Sequence, residues 1–380
     1  MIKNIIISIA ILVNIILAQN DISVRIVATA NVHNETDPCG WKKKPLGGLA
    51  RKATILDQSS SEVENFYVVD AGNLFFKKSE IDEGVTMEAA KINAQIILDS
   101  FNAMGCNAFS PGEFDFAGGL DYLLSLEKQA EFPFTSCNIT NKNGKQLFKE
   151  YVLDKKSDYS IAFIGLSSKF ESSYVNVEEP VERIKSVLKK LENKSDINVL
   201  MFHGDDTDLR NIYNENLDID LIIRSKDRKR SSDGGNKIPT FSLGDRGKIL
   251  YQFDLNYTDL NVELTDIVWC ENTEKRISDR LEKMKKGDLL ADLNDLYKDN
   301  PATLRRIANY ENQIKMANEK MKNLVNELKF EKIELDKNID GRIDILQIVD
   351  TGKIYLEETL GPMLPKPVPH DHDGDGIPDH

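Results

Sequence analysis

Two apolar runs near the start of the chain each end in polar residues. The β-branched run 24–30 stops at Asn31 and His33, and the run 67–69 is closely followed by Asn73. A Gly-Gly step opens a helix-like stretch between the two runs, so the predicted order is strand, loop, helix, strand, loop. Because open α/β sheets place their sites at the carboxyl ends of strands, we expect the polar residues to share a site.

The same alternation continues to about residue 262. An apolar stripe with spacings of four and three residues predicts a helix from about residue 84 to Met104. Pro180 marks the start of another one-sided helix, and two further apolar runs predict strands that end at His203 and Arg224. The chain is therefore predicted to belong to the α/β class.

Beyond about residue 271 the pattern changes. Segments 273–299 and 302–328 are rich in Leu, Lys, Glu and Asn, and Pro301 lies between them. Two amphipathic helices packed as a hairpin fit this pattern, with Pro301 near the first position of the second helix. A short strand-like piece, 330–335, follows.

Composition narrows the class of protein. A chain of 380 residues with 41% hydrophobic and 29% charged residues can bury one large core and a smaller appendage. The formal charge of -13 argues against nucleic acid or an anionic membrane as a partner. Four cysteines, Cys39, Cys106, Cys137 and Cys270, match no metal motif, and buried thiols or one structural bridge is expected.

The first residues are typical of a secretory signal. The apolar run 5–18 rises only about 21 Å as a helix, too short for a bilayer, so residues 1–18 are predicted to be a cleaved signal peptide. No transmembrane segment is expected after cleavage. The predicted location is periplasmic or extracellular.

Several motifs resemble the calcineurin-like metallophosphatase superfamily, in particular its exported 5'-nucleotidase branch. Leu46-Gly47-Gly48-Leu49-Ala50-Arg51 matches the family's Gly-Gly-Leu-Ala-Arg helix in full, and the similarity covers roughly residues 22–262 in order. The resemblance implies a four-layer α/β/β/α sandwich, here followed by a helical hairpin. It also implies two metal ions held by ligands from five loop ends.

Those ligand positions are largely substituted in this chain. Where the family has Asp-x-His, the chain has Asn31 and His33, and the bridging Asp of Gly-Asp is replaced by Asn73. The third motif, Gly-Asn-His-Glu, is Ser-Pro-Gly-Glu here, and the fourth keeps His203. Of seven expected ligands only the two histidines remain, and no metal is expected in the core.

The fifth motif, Gly-His-x-His, corresponds to a segment that carries Lys226 and Arg228, which do not ligate metals at neutral pH. If both project into the old cleft, they could bind phosphate or another anion by charge-assisted hydrogen bonds. The competing interpretation is an exposed loop, 224–230, whose charges are solvated or paired with Glu113 and Asp115. His33 and His203 are interpreted as loop residues that pack and form hydrogen bonds, in preference to metal ligands.

The favoured function is therefore non-catalytic binding of a phosphate-containing small molecule or a protein partner. One alternative is a residual metal-dependent phosphohydrolase with a rebuilt mononuclear site, for which the candidate ligands are His33, His203, Asp70, Asp115 and Asp205. Another is a surface or adhesion module. The sequence names no ligand, partner or oligomeric state.

The last residues combine a Pro-rich spacer with an aspartate repeat. Asp371, Asp373 and Asp375, followed by Gly376, resemble the first half of a calcium loop of the thrombospondin type 3 kind. A weak calcium site is one interpretation and a solvated acidic tail is another. The predicted organisation is a signal peptide (1–18) and a metallophosphatase-like domain (19–270). A helical hairpin (271–335), a C-terminal extension (336–360) and a Pro- and Asp-rich tail (361–380) follow.

Overall fold

The computed structural model describes residues 21–40, 44–81, 85–232 and 238–361. The predicted signal peptide and the predicted calcium residues Asp371, Asp373 and Asp375 lie outside these ranges. Within them, no helix is both long enough and apolar enough to cross a membrane.

A six-stranded sheet contains both of the apolar runs near the start of the chain. Its strand order is β15-β16-β14-β1-β4-β5, in which β1, β4 and β5 are parallel and β14 is antiparallel to β1. The parallel part brings the carboxyl ends of β1, β4 and β5 to one edge. The strands are β1 Ile22–Thr29, β4 Phe66–Asp70, β5 Ala108–Phe109, β14 Ile249–Tyr257, β15 Leu264–Asp266 and β16 Asn326–Glu334.

A second six-stranded sheet has the order β12-β13-β11-β10-β8-β7. Strands β8, β10, β11 and β13 are parallel, so the ends of β10 and β11 carry His203 and Ser225 at one edge. The strands are β7 Tyr151–Lys155, β8 Ser160–Ser167, β10 Ile197–His203, β11 Leu221–Ser225, β12 Arg230–Ser232 and β13 Thr240–Leu243. Two small hairpin-like pairs complete the strands, β2 Pro38–Cys39 with β3 Leu46–Gly47 and β6 Ile139–Asn141 with β9 Val175–Val177.

The two sheets pack face to face, and helices cover their outer faces. Side chains from both sheets, such as Val24, Phe163 and Phe241, form one buried cluster between the sheets. Other clusters join the first sheet to α1, α2, α3 and α9, and the second sheet to α4 and α5. The predicted four-layer α/β/β/α sandwich is confirmed. These helices are α1 Leu49–Ser61, α2 Met87–Met104, α3 Leu120–Gln129, α4 Pro180–Leu191, α5 Asp206–Asn214 and α9 Ile343–Leu360.

The predicted helical hairpin is an insertion within the first sheet. It contains α6 Ile267–Met284, the short α7 Leu293–Leu296 and α8 Pro301–Lys322, with Pro301 in the first turn of α8 as predicted. The first helix ends at Met284 rather than near residue 299. The strand that follows begins at Asn326 and lies between β14 and β15, so it completes the sheet of the domain that was predicted to end at 270.

The cysteines form no bridge. All four lie in the described residues and are free, with Cys137 and Cys270 buried. The prediction of buried thiols therefore holds for two of the four cysteines, and the alternative prediction of a structural disulfide is wrong.

Candidate functional site

The loop ends at which the resemblance places metal ligands meet at one edge of the sandwich. Backbone N–H groups of Asn31 and His33 donate to the carbonyl oxygens of Gly72 and Asn73, at 2.8 and 2.9 Å. The Ser225 hydroxyl, at the end of β11, donates to the Ala71 carbonyl oxygen at 2.6 Å and so joins the second sheet to the first. The loop ends that carry Asn31, His33 and Asn73 thus lie together with the end of β11, as the strand directions predict.

The two asparagines that replace carboxylates are bonded to each other. Asn73 Nδ2 donates to Asn31 Oδ1 at 3.2 Å, and Asn31 Nδ2 donates to the Gly244 carbonyl oxygen at 2.9 Å. Asn73 Oδ1 accepts the N–H of Phe114 at 3.1 Å. Asn31 is fully buried and Asn73 nearly so. Both amides therefore have partners from the protein itself.

Asp115 organises the third loop from a fully buried position. Its carboxylate accepts three backbone N–H groups, from Asn73, Phe75 and Gly112, each at 2.8 Å. Burial raises the pKa of Asp115 to about 7, against the lowering effect of these hydrogen bonds. The prediction that Asp115 might pair with the 224–230 loop is wrong, because its oxygens face the loops of the first sheet.

Both ring nitrogens of His203 are engaged. Nδ1 lies 2.8 Å from the Ser225 hydroxyl oxygen, and Nε2 accepts the backbone N–H of Glu113 at 3.2 Å. Since that hydroxyl already donates to Ala71, the arrangement requires a neutral ring with its proton on Nδ1. Burial lowers the pKa of His203 to about 3, helped by the charges of Lys226 and His33.

Gly112 allows the third loop to approach this ring. A Cβ atom at position 112 would lie 2.6 Å from Asn73 Oδ1 and 2.7 Å from His203 Nδ1. Any side chain there would have to displace one of the two. Close contact between the loops thus depends on glycine at a position where the family has a larger residue.

His33 differs from His203 in having a nitrogen without a partner. Its Nδ1 lies 2.9 Å from Asp245 Oδ1, while Nε2 is buried and has no hydrogen-bond partner among the described residues. The side chain is only 3% exposed. Its ring lies 5.6 Å from that of Phe114, centroid to centroid. The pKa of Asp245 is lowered although burial opposes this, because His33, Arg228 and Arg246 favour its charged form.

The fifth loop, predicted to be exposed, is buried at its start and exposed at residues 228–230. Arg224 is 3% exposed and bonds the Gly204 carbonyl oxygen and Asp206, so the prediction that it is exposed is wrong. The backbone N–H of Lys226 donates to Asn31 Oδ1 at 3.2 Å. Lys226 is half-buried and Arg228 is exposed. Within the described ranges, no carboxylate lies within ion-pair distance of either side chain.

The loops are held in uncommon backbone conformations. Asn31, His33, Asn73, Lys226 and Arg246 all have φ between 53° and 70°. Left-handed backbone is unfavourable for residues other than Gly and Asn, and it persists where surrounding contacts enforce it. Here these residues are bonded to one another, since Asn31 contacts Asn73, Lys226 and the N–H of Arg246.

Among the described residues, no group of three or more His, Cys, Asp or Glu side chains is arranged to hold a metal ion. The additional acids proposed for a mononuclear site have other contacts. Asp70 accepts from the Thr29 hydroxyl at 2.7 Å and from the Gly72 N–H, beside the buried Lys52. Asp205 caps α5 through the N–H groups of Thr207 and Asp208.

Sequence reasoning did not find Asp245 or Ser225. Asp245 lies in the turn between β13 and β14, more than two hundred residues from His33, and no motif links the two positions. Ser225 ends the strand β11, and nothing in the sequence distinguishes it from other serines at strand ends. Their roles depend on contacts between loops, which a residue pattern does not contain.

Comparisons with known proteins agree with the fold. The chain is 30% identical over 166 residues to a 2',3'-cyclic-nucleotide 2'-phosphodiesterase/3'-nucleotidase of Haemophilus influenzae, which covers 43% of this chain and 25% of that protein. It is 31% identical over 168 residues to the protein UshA of Escherichia coli, covering 41% of this chain and 30% of UshA. The chain thus matches less than a third of the length of these curated relatives. No family model matches it.

Solved structures resemble a larger part of the chain. The calcineurin-like phosphoesterase YfkN of Bacillus subtilis superposes with a TM-score of 0.60 at 16% identity, covering 89% of this chain and 99% of that one. A 5'-nucleotidase precursor of Thermus thermophilus gives a TM-score of 0.62 at 14% identity, over 89% of this chain and 59% of its own. The chain is therefore similar in fold to calcineurin-like phosphoesterases and, over part of its sequence, to proteins of the 5'-nucleotidase branch.

Proposed function

We propose that the chain is an exported, catalytically inactive member of this branch that binds an anion without a metal. The observation that supports this best is the state of His203. Its Nε2 lone pair accepts the N–H of Glu113, and its Nδ1 proton faces Ser225. A metal ion could take this nitrogen only by breaking a buried hydrogen bond, which is unfavourable.

The charge at the former ligand positions leads to the same proposal. Two divalent cations need several anionic ligands, and a bridging ligand above all must be negative. Asn31 and Asn73 are neutral, and each bonds the other or the backbone. The residues present do not fit a dinuclear centre, and we derive no catalytic step through one.

The alternative functions have less support. For a mononuclear phosphohydrolase, Asp70, Asp115 and Asp205 would each have to leave backbone or hydroxyl donors that they now accept. The adhesion alternative rests on the aspartates of the tail, outside the described residues, and stays a prediction. Export likewise rests on the sequence of residues 1–18.

Anion binding is proposed from the cations of the fifth loop. Lys226 and Arg228 lie at the former imidazole positions, and within the described residues neither has an ion-pair partner. Lys226 is close enough to His203 for its charge to lower the pKa of that ring. Charge-assisted hydrogen bonds to an oxyanion would use these side chains where metal ions once held the substrate.

Metal content and turnover test the inactive state. The full chain, expressed with added Mn²⁺ and Zn²⁺, is expected to contain no stoichiometric metal by elemental analysis. It should release no phosphate from AMP and no p-nitrophenol from bis(p-nitrophenyl) phosphate above the rate with buffer alone. Two metals per chain, or metal-dependent turnover, would reject the proposal.

Calorimetric titration in EDTA tests anion binding. Phosphate, AMP and a UDP-sugar are titrated into the wild type, the Lys226→Ala/Arg228→Ala protein and a Lys229→Ala control. Lys229 belongs to the same loop but is 74% exposed and lies 4.0 Å from Asp227. We expect the double variant to bind roughly 10- to 100-fold more weakly and the control to match the wild type. Equal affinity of all three proteins would reject a role for this loop.

A further inference from the structure

A groove lies between α2 and α9, and no residue of the candidate site lines it. Its volume is about 880 Å³, and its apolar surface includes Ile96 and Ile348. The helices approach closely at Gly352, where a Cβ would lie 2.3 Å from Ile96 Cγ1. Arg342 Nη2 donates to the Ala103 carbonyl oxygen at 2.9 Å, so the two helices run antiparallel.

Tyrosine side chains add aromatic surface to this groove. Tyr355 lines it, is 58% exposed, and has no hydrogen-bond partner for its hydroxyl among the described residues. Tyr122 also lines it, and its hydroxyl donates to the Lys91 carbonyl oxygen at 2.6 Å. Grooves lined by aromatic residues are the surfaces that bind proline-rich segments in many proteins.

Carboxylates outnumber cations in the groove lining, which contains Glu88, Asp99, Asp344 and Lys91. Asp344 is paired with Arg342 at 2.8 Å. In the described part of the chain, neither Glu88 nor Asp99 has a cation within ion-pair distance. The groove therefore favours an apolar occupant that carries positive charge.

The chain itself contains a segment of this kind. Helix α9 ends at Leu360, and residues 362–369, which lie outside the described ranges, have the sequence Pro-Met-Leu-Pro-Lys-Pro-Val-Pro. This sequence is apolar, contains a Pro-x-x-Pro spacing and carries one cation, Lys366. Because proline fixes φ, a proline-rich sequence loses little backbone entropy when it binds.

The position of the segment allows it to reach the groove. Gly361 has a φ of 76°, a left-handed conformation that turns the chain away from the helix axis. Tyr355 lies about 9 Å before Gly361 along the helix, and the groove extends about 16 Å further, to Asp344. Residues 362–369 would span about 25 Å in an extended, proline-type backbone, which matches the sum of these lengths.

We propose that residues 362–369 bind in cis along the groove between α2 and α9. The prolines and Leu364 contact Tyr355 and the isoleucines of the groove, and Lys366 lies beside the carboxylates. This contact covers apolar surface that is otherwise exposed to solvent. It is independent of metal-free anion binding, since the groove and the candidate site share no residue.

A fluorescent peptide with the sequence of residues 362–369 tests the assignment by competition, with binding to the full-length protein followed by anisotropy. Leu364→Ser/Pro365→Ser weakens the tethered segment without changing the net charge, so it leaves the groove open to the peptide. We expect this variant to bind the peptide at least about tenfold more tightly than the wild type, whose own segment competes at a millimolar effective concentration.

Further substitutions in Leu364→Ser/Pro365→Ser locate the bound peptide. Tyr355→Ala should weaken binding at least about fivefold, and Leu290→Ala, at a position that is 95% exposed on the hairpin, is the control and should have no effect. Glu88→Gln should weaken binding about two- to fivefold, as expected for an exposed ion pair. Glu271→Gln changes the net charge equally on α6, outside the groove, and should leave the affinity unchanged.

Three results would overturn the proposal. Equal binding of the peptide to wild type and Leu364→Ser/Pro365→Ser would mean that the tethered segment does not occupy the groove. No binding to either protein, or binding that Tyr355→Ala leaves unchanged, would mean that the groove does not accept this sequence. A wild-type dimer that becomes a monomer in Leu364→Ser/Pro365→Ser, measured by size-exclusion chromatography, would assign the segment to a second copy instead.

The test does not depend on the folding of the groove variants. Leu364→Ser/Pro365→Ser changes no residue of the described fold, so its comparison with the wild type decides whether the segment competes in cis. Circular dichroism establishes whether the Tyr355→Ala and Glu88→Gln proteins are folded.

Discussion

The two histidines that the resemblance aligns with metal ligands, His33 and His203, follow β1 and β10, on different sheets, and they differ in their bonding. His203 has a partner on each ring nitrogen, Ser225 at the end of β11 and the N–H of Glu113 in the segment after β5. His33 has a carboxylate beside Nδ1 and nothing bonded to Nε2 within the described residues. Similar burial and a similar origin therefore accompany different roles. His203 holds the loops together through both ring nitrogens, whereas His33 keeps one buried ring nitrogen without a hydrogen bond among the described residues.

The largest expected effect is on stability, at His203. Replacing His203 with Ala removes a ring that is 1% exposed, leaves the Glu113 N–H without a partner and takes one of two hydrogen bonds from the Ser225 hydroxyl. We expect a loss of about 3–5 kcal/mol in the free energy of unfolding, from the cavity and the unpaired groups together. Urea denaturation followed by circular dichroism measures it.

His33→Phe is the matched comparison. It removes an acceptor that has no partner and leaves Asp245, whose side chain is 27% exposed, near Arg246. The expected loss is about 1 kcal/mol or less, since Asp245 Oδ1 has no hydrogen bond to lose and Oδ2 keeps Arg246 nearby. Equal losses for the two variants would show that the histidines do not differ in role.

A loss of stability smaller than that of His203→Ala is expected when a substitution at Gly112 pushes the loops apart and both histidines are kept. The Cβ of Gly112→Ala would lie within 2.7 Å of both Asn73 Oδ1 and His203 Nδ1, so the third loop must move. The expected cost is about 1–3 kcal/mol, as for overpacking elsewhere. Gly105→Ala provides a control with open space around the Cβ, although its φ of 78° adds some strain. A Gly112→Ala protein as stable as the wild type would mean that the loops are not tightly packed.

Hydrophobic periodicity predicts the α/β class, because it determines which residues face a core, and the resemblance to the metallophosphatase superfamily implies the four-layer sandwich. The sequence also predicts that Asn31, His33, Asn73 and His203 share one edge, since parallel strands end there. It does not predict that the two amides bond each other, or that Arg224 is buried. Those features depend on side-chain rotamers and on contacts between loops far apart in the sequence, such as His33 with Asp245. A substituted motif indicates which ligands were lost, and only the structure shows what fills their place.

The dependence of stability on pH sharpens the comparison further. The pKa of His203 is lowered to about 3 from an ordinary value of 6.5, so between these values the unfolded chain binds a proton that the native ring does not. Stability contributed by neutral His203 is therefore present above pH 6.5 and is lost as the pH falls toward 3, by at most about 1.4 kcal/mol per pH unit.

Comparison with His203→Gln isolates this contribution. Buried carboxyls such as Asp70 and Asp115 have raised pKa values and give the opposite slope, but they are present in both proteins. The difference in unfolding free energy between wild type and variant should shrink steadily below pH 6.5. Proton NMR of the His203 ring should show no titration above pH 4. Titration near pH 6.5 would contradict the bonding described for this ring.

The smallest expected effect on metal content and activity comes from introducing the two carboxylates that the resemblance places at positions 31 and 73. Asn31→Asp and Asn73→Asp together reinstate two ligands, yet we expect no stoichiometric metal by elemental analysis and no phosphatase activity. The third loop still lacks its Asn and His, His203 Nε2 still accepts the N–H of Glu113, and Lys226 still places a cation nearby. The new carboxylates would instead face each other across the 3.2 Å that now separates Asn73 Nδ2 from Asn31 Oδ1. Burying two carboxylates side by side is unfavourable, so stability should fall, and protonation of one carboxyl should reduce the loss. Metal uptake by this variant would mean that the two asparagines alone prevent metal binding in this chain. It would also mean that His203 Nε2 gives up its hydrogen bond to Glu113 for a metal ion despite its burial.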